Sequence, residues 1–149
     1  MTNVYSSADV RDMDRVAIES GMPSLGLMDA AAHALYETLC QALHGITGRR
    51  VVIFCGAGNN GGDGFALASL VMEGGGEAFA VFVGDRTRMT ADCNAMYSRF
   101  VESDGEVHDF SPDCLKGADA VVDAMYGTGF RGKLNGDCGE AAKLINQFS

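Results

Sequence analysis

At 149 residues the chain has the length of one domain, and a domain near that size can bury roughly 70% of its unfolded surface, so its core needs no staples. With 47% hydrophobic residues it has no apolar run near the roughly 18 residues of a membrane span, and its charged start, MTNVYSSADVRDMDR, lacks the apolar core of a secretory signal. A soluble, cytoplasmic protein is expected, and the net charge of -9 argues against nucleic acid and anionic membrane as partners.

Five cysteines, Cys40, Cys55, Cys93, Cys114 and Cys138, are odd in number, widely spaced and never arranged as C-x-x-C, which argues against disulfides and zinc. The three histidines, His33, His44 and His108, have no spacing for shared metal ligation. An anionic ligand therefore has to be held by local backbone amides or a few basic residues.

Ser6 begins S-x-x-D, a capping-box pattern, and Val10, Met13, Val16 and Ile18 suit a first helix that stops near Gly21. After Pro23, Ser24 is the expected cap of a second helix, in which Leu27, Met28, Ala31, Leu35, Leu39 and Leu43 recur at helical spacing up to Gly45. Met13 and Met28 read as core packing, and His33 and His44 as helix-surface or cap residues.

Residues 51–55, VVIFC, are apolar without a break, as in a strand covered on both faces. The loop GAGNNGGDG follows, where Gly56, Gly58, Gly61, Gly62 and Gly64 allow positive φ and a close approach of N–H groups to a ligand. An apolar helix over 63–72 then points its positive end at whatever the loop holds, which suits a phosphate-bearing ligand. GAGNNG matches the dinucleotide pattern G-x-G-x-x-G, and the absence of a following Lys-Ser or Lys-Thr excludes a triphosphate P-loop. Asn59, Asn60 and Asp63 depart from the ordinary fingerprint. A side-chain amide can offer its oxygen to a cation or bond a ribose hydroxyl. Alternatively, Asn59 and Asn60 tolerate left-handed turn geometry and Asp63 caps the helix.

Gly74, Gly75 and Gly76 break the chain, and 78–83 reads as a second buried strand closed by Gly84 and Asp85. Asp85 lies about where a dinucleotide-binding fold carries its ribose-binding acid, roughly 20 residues past the fingerprint, although strand ends also carry turn aspartates. A helix over 91–101, capped by Thr90 and with Met96, Phe100 and Val101 on its apolar side, ends at Gly105. Residues 106–110 suit a short edge strand, Ser111 with Pro112 a helix start, and 118–125, ADAVVDAM, a third main strand centred on Val121 and Val122. Asp123 would stand at the strand end, the edge where open α/β sheets bind ligands. The glycine-rich YGTGFRGKLNG follows, with Arg131 and Lys133 available to a phosphate or simply solvated. A last helix over 139–148 buries Ala141, Ala142, Leu144, Ile145 and Phe148.

This alternation predicts a Rossmann-like three-layer α/β/α fold with a mainly parallel sheet and two N-terminal helices, as one domain over 1–149. Three main strands leave one sheet flank without its neighbour. Either another chain covers that flank or the sequence is part of a longer protein, and the second is the expectation.

GAGNNGGDG with its preceding strand resembles the NAD(P)H-hydrate epimerases, the YjeF N-terminal domain family. DAMYGTGFRG resembles the family's second signature, and MDRVAIESGMPSLGLMDAAAHAL its N-terminal helices, although Asp29, Ala30, Ala31 and Ala32 stand where the family often has Glu-Asn-Ala-Gly. The resemblance implies a Rossmann-like fold, a homodimer, and interconversion of the R and S hydrates of NADH and NADPH, so that a fused or separate ADP/ATP-dependent dehydratase can repair the S form. It implies that Asn59, Asn60, Gly61, Gly62 and Asp63 contact the substrate. By the same match Gly127, Thr128, Gly129, Phe130, Arg131, Gly132 and Lys133 form a second substrate loop, and Asn60 with Asp123 binds a potassium ion. The family's Asp-x-Pro-Ser-Gly stretch, with a substrate-binding Asp and a Ser ligand to the ion, has no counterpart here, since neither Pro23 nor Pro112 precedes Ser-Gly.

The substrate's hydroxyl sits on the ring carbon beside nitrogen. Acid-assisted loss would leave a planar iminium, and water returning to the other face would invert the centre, which requires a proton donor and acceptor. An ion-binding Asp123 is less available for that work, so the acid-base group stays unassigned and is expected outside this sequence. Two alternatives compete. One is a binding module that holds a nucleotide or partner without turnover. The other is an ordinary NAD-dependent dehydrogenase, which leaves Asn59, Asn60, Asp63 and the second loop without a role.

Overall fold

The computed structural model describes residues 3–5, 24–126 and 136–148. The helix expected before Gly21 and the second glycine-rich loop lie outside these residues.

Strands β1 (Asn3–Tyr5), β2 (Arg50–Cys55), β3 (Glu77–Phe82), β4 (Val107–Asp109) and β5 (Ala120–Ala124) form one sheet in the order β1-β5-β2-β3-β4. Every adjacent pair is parallel. Among the described residues the helices are α1 (Ser24–Ala42), α2 (Asn59–Glu73), α3 (Ala91–Glu102) and α4 (Gly136–Asn146), with a 3-10 turn at Arg86–Arg88.

Alternation along the strands divides the core in two. Val51, Ile53, Cys55, Ala80, Phe82, Ala120 and Val122 meet α1, α2 and α3 on one face. Val52, Phe54, Val81, Val83, Val121 and Met125 meet α4 and the Cys114 turn on the other. Both faces of β2 are sealed, which is why VVIFC carries no polar residue. The architecture is the expected three-layer α/β/α. From β2 the chain winds outward through β3 to β4, then crosses back so that β5 pairs with the other side of β2. Strand order therefore reverses between β2 and β5, the crevice where such sheets take ligands.

Three elements differ from the sequence reading. The flank beyond β5 has a neighbour, because Asn3, Val4 and Tyr5 pair with Ala120, Val121 and Val122. No helix starts at Ser111 and Pro112. That stretch is a run of turns with Cys114 N–H to Ser111 O at 3.1 Å and Ala118 N–H to Leu115 O at 3.0 Å, since too few residues separate β4 from β5 for a helix to repay its nucleation. Finally α2 starts four residues earlier than expected, at Asn59.

Candidate functional site

The sequence's bare loop shrinks to three residues, Gly56, Ala57 and Gly58, because the rest of GAGNNGGDG is helical. None of its five glycines has positive φ, contrary to the turn geometry expected of them. Four of them, all but Gly58, are there for close approach. A Cβ at Gly56 would lie 1.9 Å from the Met125 carbonyl oxygen, and one at Gly61 would lie 1.8 Å from the Gly56 carbonyl oxygen. The end of β5, the loop and the first turn of α2 are thus stacked backbone on backbone, with Gly56 N–H bonded to Ala124 O at 3.0 Å.

Asn59, Asn60 and Gly61 are the first three residues of α2, and Gly58 at its N-cap supplies no side-chain cap. First-turn amides have no intrahelical acceptor, so the helix presents donors at the crevice. Asn59 is exposed, and its Oδ1 accepts a hydrogen bond from the Thr90 hydroxyl at 2.6 Å. Asn60 is 9% exposed, and its side-chain amide bonds no described residue. Asp63 is the fifth helical residue and so not a cap. It is buried, and its charge, after burial itself, helps push the Cys93 thiol up to about 12. The Cys93 thiol in turn donates to Gly56 O at 3.5 Å, beneath the loop.

Asp123 stands one position before the end of β5, in register with Phe54. It is half-buried, and its Oδ1 accepts from Met125 N–H at 3.1 Å. Burial pushes its pKa above the ordinary value, with the Met125 N–H pulling the other way. The fold therefore brings the start of α2, with Asn59 and Asn60, and Asp123 to the same edge of neighbouring strands.

Asp85, the candidate ribose acid, is spent on its own turn. Its Oδ1 accepts from the Thr87 N–H at 2.9 Å and the Thr87 hydroxyl at 2.6 Å, and the hydroxyl bond is the main reason its pKa is lowered. The second-loop candidates Gly127, Thr128, Gly129, Phe130, Arg131, Gly132 and Lys133 lie outside the described residues. On either side of that segment the Tyr126 hydroxyl and Cys138 Sγ meet at 2.9 Å, a contact that, with burial, raises Tyr126 to about 12. Sequence reasoning identified Thr90 only as a helix cap. Its bond to Asn59, 31 residues away, had no sequence signal.

The donors that fit a cation here are hard oxygens. Among the described residues no three His, Cys, Asp or Glu side chains gather. The half-buried carboxylate of Asp123 and the buried amide of Asn60 are both oxygen donors, which suit a hard cation better than a transition metal.

A family model described as YjeF-related protein N-terminus matches residues 24–149. An NAD(P)H-hydrate epimerase of Rhodobacter capsulatus is 36% identical over 144 residues, covering 91% of this chain and 67% of that protein. A bifunctional NAD(P)H-hydrate repair enzyme Nnr of Thermanaerovibrio acidaminovorans is 35% identical over 148 residues, covering 95% of this chain but 28% of that protein. The crystal structure of yeast ynu0, YNL200c, superposes with a TM-score of 0.73 at 19% identity, over 96% of this chain and 64% of that one, which speaks to the fold alone. The chain thus spans about two thirds of the single-function relative and under a third of the bifunctional one. On the family match and the Rhodobacter relative together, this chain belongs to the YjeF-related protein N-terminus family.

Proposed function

We propose that this chain is an isomerase domain that interconverts the R and S hydrates of NADH and NADPH. The observation that carries the reading is that the start of α2, without a side-chain cap, and Asp123 of β5 lie at the same edge of the sheet, at the strand-order reversal. Asn59, Asn60, Gly61 and Gly62 contact the substrate, and residues 127–133, which lie outside the described residues, are its proposed second substrate loop. Asn59 and the first amides of α2 donate to substrate oxygens. Asp63 works from beneath, since its burial keeps it from the surface that Asn59 faces.

Asn60 and Asp123 would hold a potassium ion, offering an amide and a carboxylate oxygen. A bound ion would supply fixed positive charge that orients an anionic dinucleotide. The inversion breaks the bond between the ring carbon and the hydroxyl, which leaves as water once protonated, while the ring nitrogen's lone pair closes an iminium. Water then adds to the opposite face and gives up its proton. The chain's part is to hold the ring in one orientation through both half-steps. A homodimer, a cytoplasmic location and a fused or separate ADP/ATP-dependent hydrate dehydratase complete the reading. The bifunctional relative, named an NAD(P)H-hydrate repair enzyme, supports a second repair activity beside this one.

The test is purified R hydrate incubated with the chain and resolved by chiral separation. Appearance of the S hydrate well above the buffer rate supports the isomerase. Binding of the hydrate without interconversion, both by this chain and by a form extended to the length of the Rhodobacter relative, would leave a binding module in its place.

A further inference from the structure

The Thr90 hydroxyl has one proton and two lone pairs. One lone pair accepts the Cys93 N–H at 3.1 Å and caps α3. The proton needs an acceptor, and Asn59 Oδ1 is 2.6 Å away, a separation typical of O–H···O rather than N–H···O bonds. The direction of this bond decides which end of the Asn59 amide is turned to the crevice. With Oδ1 held by Thr90, the Asn59 NH2 group is left unengaged, adding two donors to the first-turn amides of α2. The arrangement is braced by the backbone as well, because Thr90 N–H bonds to Ala57 O at 3.0 Å and so ties the start of α3 to the loop.

We infer that Thr90 is a positioning residue of the substrate site, holding Asn59 as a hydrogen-bond donor so that the crevice beside α2 selects acceptor oxygens, those of the dinucleotide's phosphates or carboxamide. The inference rests on the substrate reading above. A threonine that only capped α3 would be indifferent to what stands at position 59.

The test is a double-mutant cycle in calorimetric binding of the purified R form of NADPH hydrate. Thr90→Val keeps the shape but removes the hydroxyl, and it weakens binding about tenfold, or about 1.4 kcal/mol. Thr90→Ser retains both bonds and binds like the unsubstituted chain. Asn59→Ala weakens binding at least as much as Thr90→Val, and adding Thr90→Val to it costs nothing further, because the hydroxyl then has no amide to orient. The same fold-loss from Thr90→Val in both backgrounds would overturn the positioning role and leave only the cap. No binding by the unsubstituted chain would instead overturn the substrate reading itself, and the inference with it.

Discussion

Gly61 and Gly58 sit three residues apart in the same stretch, yet they tolerate change very differently. Both have ordinary φ, so backbone freedom does not distinguish them. A methyl group at Gly61 meets the Gly56 carbonyl at 1.8 Å, whereas nothing lies within 4 Å of one at Gly58. Alanine at a helical glycine gains about 1 kcal/mol of propensity, but a clash with rigid backbone outweighs that. Gly61→Ala should therefore lose about 3 kcal/mol or more in urea unfolding, and Gly58→Ala about 1 kcal/mol or less. Asp123 makes a second prediction at this scale. Its folded pKa is raised by burial above the ordinary 3.8, so its effect on stability is most favourable below that value and is lost as pH rises through the folded pKa. Asp123→Asn keeps an acceptor for the Met125 N–H and removes the buried charge. It should raise the melting temperature at pH 7 but not below pH ~3.5. If Asp123 also holds potassium, potassium chloride should raise the melting temperature of the unsubstituted chain above that in matched choline chloride, and should not do so in Asp123→Asn.

At the scale of elements, α1 shows how the helices are held. Leu35 and Leu39 are fully buried, and Ala31 and Ala32 let the helix lie close to α2. Leu39→Ala should cost about 2–5 kcal/mol, while Glu37→Ala on the exposed side should stay within about 0.5 kcal/mol by chemical denaturation. The bond from Arg99 of α3 to Asp29 of α1, 2.8 Å with both side chains nearly half exposed, adds little to this. Periodicity announced α1 and α3 because their apolar positions repeat every three or four residues. It missed the true start of α2, since a first turn written Asn-Asn-Gly-Gly has poor helix propensity and forms only because it is packed against strand ends.

For the molecule as a whole, the flank beyond β5 is closed by a pairing of only three residues between β1 and β5. Removing residues 1–5 would strip β5 of that neighbour and expose the backbone edge at 120–122. We expect a loss of about 1–3 kcal/mol and concentration-dependent association in static light scattering. Unchanged stability and a constant mass would mean that β1 contributes nothing to closing this flank.

By itself the sequence determined the three central strands, because residues buried on both faces leave an unbroken apolar run that can be read locally. It determined the parallel α/β class, because helices alternate with those runs, and it put Asp123 and the glycine stretch at strand ends, the edge of the proposed site. Only the tertiary structure decided why those glycines are needed, that β1 closes one flank, and that Thr90 reaches Asn59. Each of these depends on which backbone passes across which. A three-residue strand has no period of its own, and a glycine required for close contact looks in sequence like one required for a turn.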